Sequence, residues 1–552
     1  MRMVTWRKCS FIFCSLVCLV GFSYRFLSMD ILDKRTLLTL KIFRLPAKII
    51  PPTSVPSTSI LPTSVPPTSV PPTEPKLTEL LKYISWPEPP VSLQNFSLST
   101  SAKNCDYQLW NPRETYRVGE TLEVVITARD HNGKRKEYGG DFFQAKLHSK
   151  ALKAGVTGHV KDFGNGSYLA TFLLPWPGEA RVHIRLIHSS EAVDVLRKKR
   201  ESDPGKVYFS GYFHFNGSSE VVECNLEVAG PKICEYKDPY TGEIWQCVKP
   251  QKLPCDSLIY HSMGGYRKVT NGLEDSLLSG SVTDKTISGS VPPINAMTTN
   301  SFIDLTSTLP GCRPGQESPQ YSGFYYNDIW TSLICKSRHF PKPNEALECL
   351  KGKDIYMFGD STLRQWFEYL VNFIPSLKTI DLHINYQSGP LLAVDANAEL
   401  ALRWRAHGLP LRTTKTMMAD LHYEAAHLAG ISGGPHTVIV LTLWAHFTTY
   451  PIRVYLERLE RVRQAISSLL FRSPKTTVLI KSANTGYKSV FGSDWLSLQL
   501  DILLRAAFKG MDVTIIDAWD MTSCHYLPDN IHPGPPVIRN VVDLMLSYIC
   551  PT

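Results

Sequence analysis

The 552-residue chain predicts an antiparallel β-sandwich followed by an α/β domain on a doubly wound, mostly parallel sheet. Three observations predict it. From Cys105 to about Val228 apolar and polar residues alternate in short runs. Leu122, Val124, Ile126 and Ala128 alternate with Glu123, Thr127 and Arg129, and Val182, Ile184 and Leu186 with Arg181, His183 and Arg185, the period of half-buried strands. After Cys312 the apolar runs Ile355 to Phe358, Val438 to Leu443, Val478 to Ile480 and Val513 to Ile516 lack alternation, as strands buried on both faces do. Helical patterns separate them: Ile452, Leu456, Leu459, Val462, Ile466 and Leu469 share one face, with Glu457, Arg458, Glu460, Arg461 and Arg463 on the other. The length exceeds what one hydrophobic core fills, so two or more folded units are expected.

Residues 1–25 form a targeting segment. Arg2, Arg7 and Lys8 precede an apolar or small stretch from Cys9 to Phe22, and Arg25 follows. The stretch is shorter than the ~20 residues of a relaxed membrane-spanning helix, yet no A-x-A cleavage site follows it, so signal peptide and signal anchor both remain open. A membrane contact is expected only if this segment is retained. Residues 26–100 read as a stalk, because residues 50–75 repeat Pro-Thr-Ser-Val-Pro, a composition that stays extended and cannot pack a core.

Two features place the rest in an oxidising compartment, secreted or in the Golgi lumen. Asn95, Asn165 and Asn216 each begin an N-x-S sequon. Ten cysteines follow the targeting segment, an even count that favours disulfides; no pair has C-x-x-C spacing, so no metal site is expected. The net charge of +9 is not gathered into a basic tract, so no nucleic-acid partner is expected, while a mildly basic surface suits acidic glycans.

The sandwich is assigned to residues 101–230. Its turns are His131-Asn132-Gly133, Gly164-Asn165-Gly166 and Pro175-Trp176-Pro177-Gly178, at the spacing of an immunoglobulin-type sandwich. Arg197-Lys198-Lys199-Arg200 reads as a solvated loop between strands, with a dibasic processing site as the alternative. Residues 231–309 form a cysteine-containing extension and linker, with 263–303 rich in Gly, Ser, Thr and Asn and read as a linker or long surface loop. Residues 310–552 form the α/β domain. Trp404, Trp444 and Trp495 read as core residues, with stacking on sugar faces as the alternative.

Two segments carry chemistry. Gly359-Asp360-Ser361 ends the run from Asp354 and precedes a helix bearing Leu363, Trp366, Phe367 and Leu370, so the Ser361 hydroxyl sits beside the first N–H groups of that helix. Asp and Ser are also good helix caps, which is the bland reading of the same residues. In Asp529-Asn530-Ile531-His532 the carboxylate and imidazole are three residues apart, so Asp529 is expected to accept from Nδ1 of His532 while Nε2 takes the serine proton. His446 and His525 compete for the role of base, but neither has an acid at that spacing.

The motifs "GDSTLRQW" and "DNIHPG" make residues 310–552 similar to a PC-esterase domain of the GDSL/SGNH hydrolase-like superfamily. "YRVGETLEVVITARD" and "GNGSYLATFLLPWPGEARVHI" resemble a neurexophilin-like domain. Together they make the chain resemble the neurexophilin and PC-esterase domain (NXPE) family. That resemblance implies an SGNH-like fold, Ser361 as nucleophile, His532 as base and Asp529 as its orienting acid. It further implies that the domain adds or removes acetyl groups on sugar hydroxyls of glycans or glycoproteins. No cofactor is held; an acyl donor such as acetyl-CoA is the expected co-substrate. Gly359 belongs to the first motif, Arg364 matches its arginine and either contacts the anion or is a solvated or salt-bridged helix residue, and Gly389 is the candidate oxyanion glycine. Where the superfamily has an oxyanion Asn, the segment ending in Trp444-Ala445-His446 has none; Asn484 is the substitute candidate, a turn-forming Asn the alternative. Transferase, esterase, and inert ligand binding a cell-surface receptor through the sandwich are the functional readings.

Overall fold

The computed structural model describes residues 77–90, 94–298 and 305–551, so the targeting segment and the proline-rich repeat lie outside the described residues. It is a mixed α/β structure. Residues expected to end the stalk are packed: Leu77–Ile84 is a 3₁₀ helix with Leu80 buried against the C-terminal core.

In the N-terminal part, the strands Asp106–Leu109, Thr121–Thr127, Ser167–Leu173, Ala154–Asp162, Phe142–Ser149 and Gly178–His188 pair antiparallel in that spatial order. The alternation seen in the sequence directs Leu122, Val124, Ile126, Ala170 and Phe172 into one core. Residues 263–303 do not form a free linker. Lys285–Thr286 and Ile294–Met297 pair with Gly178–His188, Ser288–Gly289 pairs with Asp106–Tyr107, and Ile287 and Ile294 enter the same core. Strands of two to four residues need only one or two apolar anchors, too few to show periodicity. The basic run 197–200 is likewise no loop: it lies in the helix Ser190–Ser202, with Arg200 buried and 5.6 Å over the Trp495 ring.

A second antiparallel sheet contains Val207–Phe215, Ser218–Asn225, Ile233–Lys237, Ile244–Val248 and Leu258–Tyr266. Thr416–Met417, from the α/β part, adds to its edge. Cys224–Cys247 and Cys234–Cys255 staple this sheet, and Cys312–Cys335 and Cys349–Cys550 lie further along the chain. Cys105 and Cys524 remain buried thiols in separate cores, so two of the ten expected partners stay unpaired.

The seven-stranded C-terminal sheet contains β1 (Asp354–Gly359), β2 (Lys378–Ile380), β3 (Leu391–Asp395), β4 (Leu400–Ala406), β5 (Thr437–Leu441), β6 (Thr477–Lys481) and β7 (Thr514–Ile516), in the order β2-β3-β4-β1-β5-β6-β7. The pairs from β4 to β7 are parallel; β2 and β3 add antiparallel. Successive residues of β5 feed opposite cores. Val438 and Val440 meet helices α1 (Ser361–Phe373) and α4 (Pro535–Ile549), while Ile439 and Leu441 meet α2 (Ile452–Arg472) and α3 (Asp494–Phe508). Burial on both faces is why these strands are uniformly apolar.

Candidate active site

Ser361 opens α1 just beyond the carboxyl end of β1, where open parallel sheets place their sites. Asp360 is the helix cap: its buried carboxylate accepts from Thr362 N–H at 2.8 Å and from the Thr362 hydroxyl at 2.6 Å. The capping reading is therefore correct for Asp360, and it leaves Ser361 free for another role. Gly359 is required by packing, since a Cβ there would lie 2.5 Å from Cγ2 of Thr442.

His532 arrives on the loop between β7 and α4. Its Nε2 lies 2.8 Å from Oγ of Ser361, closing a serine–imidazole pair across 171 residues. Desolvation holds the imidazole below its ordinary value; Asp360 opposes this, and Arg364 and Lys481 reinforce it. A neutral imidazole at physiological pH is what a general base requires. The competing His525 bonds Asp328 through Nε2 at 3.1 Å, away from the serine.

The pair opens on a cavity of about 240 Å³ whose wall includes Arg364, Gln387, Trp404, Arg412 and His446. Two expected anion-binding groups are committed elsewhere. The Gly389 N–H donates to the Asn385 carbonyl at 2.9 Å, a local turn contact that removes it as an oxyanion donor. Asn484 donates to the Ile531 carbonyl at 2.8 Å and accepts from Lys481 at 2.7 Å, so it fixes the residue before His532 rather than a substrate oxygen. The Ser361 N–H, first in α1, has no intrahelical acceptor, and Arg364 and Arg412 bring positive charge to the wall. Arg364 bonds Glu368 and the Gln387 carbonyl at 2.9 and 3.0 Å, so it is the salt-bridged helix residue of the two expectations while also standing on the cavity wall. Arg412, held by the Phe491 carbonyl and the Thr449 hydroxyl, carried no signal in the sequence because its neighbours form no motif.

Asp529 differs most from expectation. Its carboxylate makes no hydrogen bond to His532 and is gripped by both Nη atoms of Arg185, at 2.9 and 3.2 Å, with Lys488 at 3.6 Å. Burial opposes ionisation of Asp529, but Arg185, with Lys488 and Lys146, outweighs it and holds the carboxyl below its usual value. The reason is competition: a guanidinium offers two charge-assisted bonds where a neutral imidazole offers one weaker bond. Arg185 lies on Gly178–His188 of the N-terminal sheet, and Lys146 of Phe142–Ser149 donates to the His525 carbonyl at 2.6 Å. Two strands of that sheet thus hold the loop that carries His532.

A family model described as NXPE family member 4-like, C-terminal domain, matches residues 330–550, and one described as Neurexophilin matches residues 86–280. The chain belongs to the NXPE family. The matched segments coincide with the two halves that meet at Arg185 and Asp529. Membership relates the C-terminal half to PC-esterase-like domains, and the four disulfides together with the neurexophilin match point to the secretory pathway. Among the described residues no helix is long and apolar enough to cross a membrane, and no cluster of His, Cys, Asp and Glu is arranged to hold a metal ion.

The remaining candidates in this NXPE chain are placed as follows. Asn95, Asn165 and Asn216 are exposed, and each lies at a helix cap or turn. Trp404, Trp444 and Trp495 are buried; of the three, Trp404 also reaches the cavity wall. A larger cavity of about 480 Å³ lies between the N-terminal sheet and α3 and contains neither Ser361 nor His532.

Proposed function

We propose that this protein is a secretory-pathway O-acyltransferase, of the O-acetyl type, acting on sugar hydroxyls of glycoprotein glycans. The fold we infer for it is an SGNH-type domain behind an immunoglobulin-type sandwich. The observation that carries the reading is the 2.8 Å contact between Ser361 Oγ and His532 Nε2 at the mouth of a cavity. His532 takes the proton of Ser361 as Oγ attacks the acyl carbon of a donor such as acetyl-CoA. The tetrahedral intermediate collapses, breaking the bond to the donor's leaving group, which takes the proton from His532. A sugar hydroxyl then attacks the acyl-serine and gives its proton to His532. The acyl carbon's bond to Oγ breaks, and Oγ recovers that proton. Orientation of His532 falls to its loop anchors, since Asp529 is engaged by Arg185.

A fluorophosphonate probe should label the wild-type protein and not Ser361→Ala. Incubation with acetyl-CoA and a sialylated or neutral glycan should add one acetyl mass to the glycan. Acetate release from an acetylated glycan without such a gain selects an esterase. Folded wild-type protein that resists the probe is no serine-dependent enzyme, and a receptor-binding role for the neurexophilin-like half would then take precedence.

A further inference from the structure

His446 sits at the carboxyl side of β5, on the wall of the cavity that holds Ser361, and its ring is nine-tenths buried. Its Nδ1 lies 2.9 Å from Nε2 of His407, whose own Nδ1 lies 2.9 Å from the Gly408 carbonyl oxygen. With both rings neutral, this chain has one consistent arrangement of hydrogens. A carbonyl oxygen only accepts, so His407 Nδ1 carries the hydrogen. In a neutral His407 the other nitrogen, Nε2, is then an acceptor, so His446 Nδ1 must be the donor. Nε2 of a neutral His446 is left without a hydrogen. Among the described residues it has no partner, and the ring it belongs to faces the cavity.

Burial favours the neutral form of both imidazoles, with Glu424 and Asp360 opposing it at His407. Burial lowers His446 well below its ordinary value, with His407, Arg412 and His532 pushing the same way, and burial likewise lowers His407. The backbone fixes the tautomer, and positive charge around the cavity protects it.

Resting on the acyl-transfer reading above, we infer that His446 Nε2 positions the acceptor by taking a hydrogen bond from a hydroxyl adjacent to the one that is acylated. The role of base at Ser361 is occupied by His532, which is already 2.8 Å from the hydroxyl. An acceptor-only nitrogen on the cavity wall selects a ligand that brings a donor and disfavours a carboxylate or phosphate at that point. The ligand class is therefore a polyol, in which one hydroxyl reacts while its neighbour is held. Water and simple alcohols fill only one of the two positions.

The test compares acceptors within each variant, so that a general loss of activity cancels. Wild-type protein, His446→Leu, His446→Gln and His407→Phe are acylated with p-nitrophenyl acetate, and the acyl group is partitioned between a methyl glycoside and methanol at matched hydroxyl concentration. The glycoside-to-methanol ratio should fall about tenfold in His446→Leu, the worth of one hydrogen bond. His446→Gln, which brings an acceptor oxygen to a similar point, should recover part of it, and His407→Phe, which frees the tautomer, should lie between. An unchanged ratio in His446→Leu overturns the inference. Glycoside binding to Ser361→Ala and to His446→Leu, followed by saturation-transfer NMR, separates the two readings. If the wild type forms no acyl-enzyme, the acyl-transfer reading fails; glycoside binding kept by Ser361→Ala and lost by His446→Leu would still support the subsite, and equal binding by both would sink it. Thermal unfolding of each variant establishes that it is folded.

Discussion

Arg185→Met should disable a serine 176 positions along the chain by releasing the loop that carries His532. The carboxylate of Asp529 is 3% exposed and the guanidinium of Arg185 12%, so theirs is an interior pair with two direct bonds. Removing one member of such a pair costs about 3–5 kcal/mol, mostly by stranding the other charge. Lys488 remains, 3.6 Å from Asp529 and 2.6 Å from Asp284, which also loses its bond to Arg185; one ammonium shared by two carboxylates keeps the loss within that range, about 3–5 kcal/mol. The loop relieves that cost by moving, and a displacement of about 1 Å at His532 is enough for roughly a hundredfold loss of rate. The assay is the second-order rate of fluorophosphonate labelling at Ser361, with thermal unfolding run in parallel. Arg185→Lys should recover only part of the rate, because an ammonium cannot grip both carboxylate oxygens. Replacing both partners, as Arg185→Met with Asp529→Leu, should lose less than the two single losses combined, since no charge is then left alone. Wild-type labelling by Arg185→Met, with Asp529→Asn inactive, would refute this reasoning and return Asp529 to direct service on the imidazole.

Three further outcomes are expected. The labelling rate should rise with pH as His532 loses its proton, with a midpoint below the ordinary histidine value of 6.5, because desolvation favours the neutral base; a midpoint above 6.5 contradicts that environment. Gly486→Ala should lower the melting temperature and slow labelling, since Gly486 has φ of +121° and a Cβ would sit 2.4 Å from Ile531 N; the strained backbone alone costs roughly 1–3 kcal/mol. Cys349→Ser with Cys550→Ser removes a crosslink spanning 201 residues, for which chain entropy gives up to about 5 kcal/mol, and should lower the denaturation midpoint relative to the disulfide-intact wild type under non-reducing conditions.

Much of the C-terminal half was legible because its determinants are local. The strands β1, β5, β6 and β7 announce themselves as unbroken apolar runs since both faces are covered, and Ser361 follows β1 directly. The antiparallel addition of β2 and β3 was not legible: β2 is three residues long and exposed throughout, so it carries no buried pattern. Gly389 and Asn484 were chosen by residue type, whereas their roles are set by which group reaches them first, the Asn385 carbonyl in one case and the Ile531 carbonyl in the other.

Asp529 shows where reading along the chain must fail. An acid three residues from a histidine is compatible with an Asp–His bond and with any cation that the fold delivers to the same carboxylate. Here the cation comes from 344 residues away, on a strand whose alternation marked Arg185 only as an outward-facing polar residue. At Arg185 the outward face of that strand meets not solvent but the C-terminal half. Because a bidentate guanidinium outcompetes a neutral imidazole for a carboxylate, the acid of such a motif can be assigned from sequence only where no arginine is brought within reach. The same fact makes the N-terminal sheet part of the site's construction: it touches neither Ser361 nor the cavity wall, yet through Arg185 and Lys146 it fixes the loop on which the base stands.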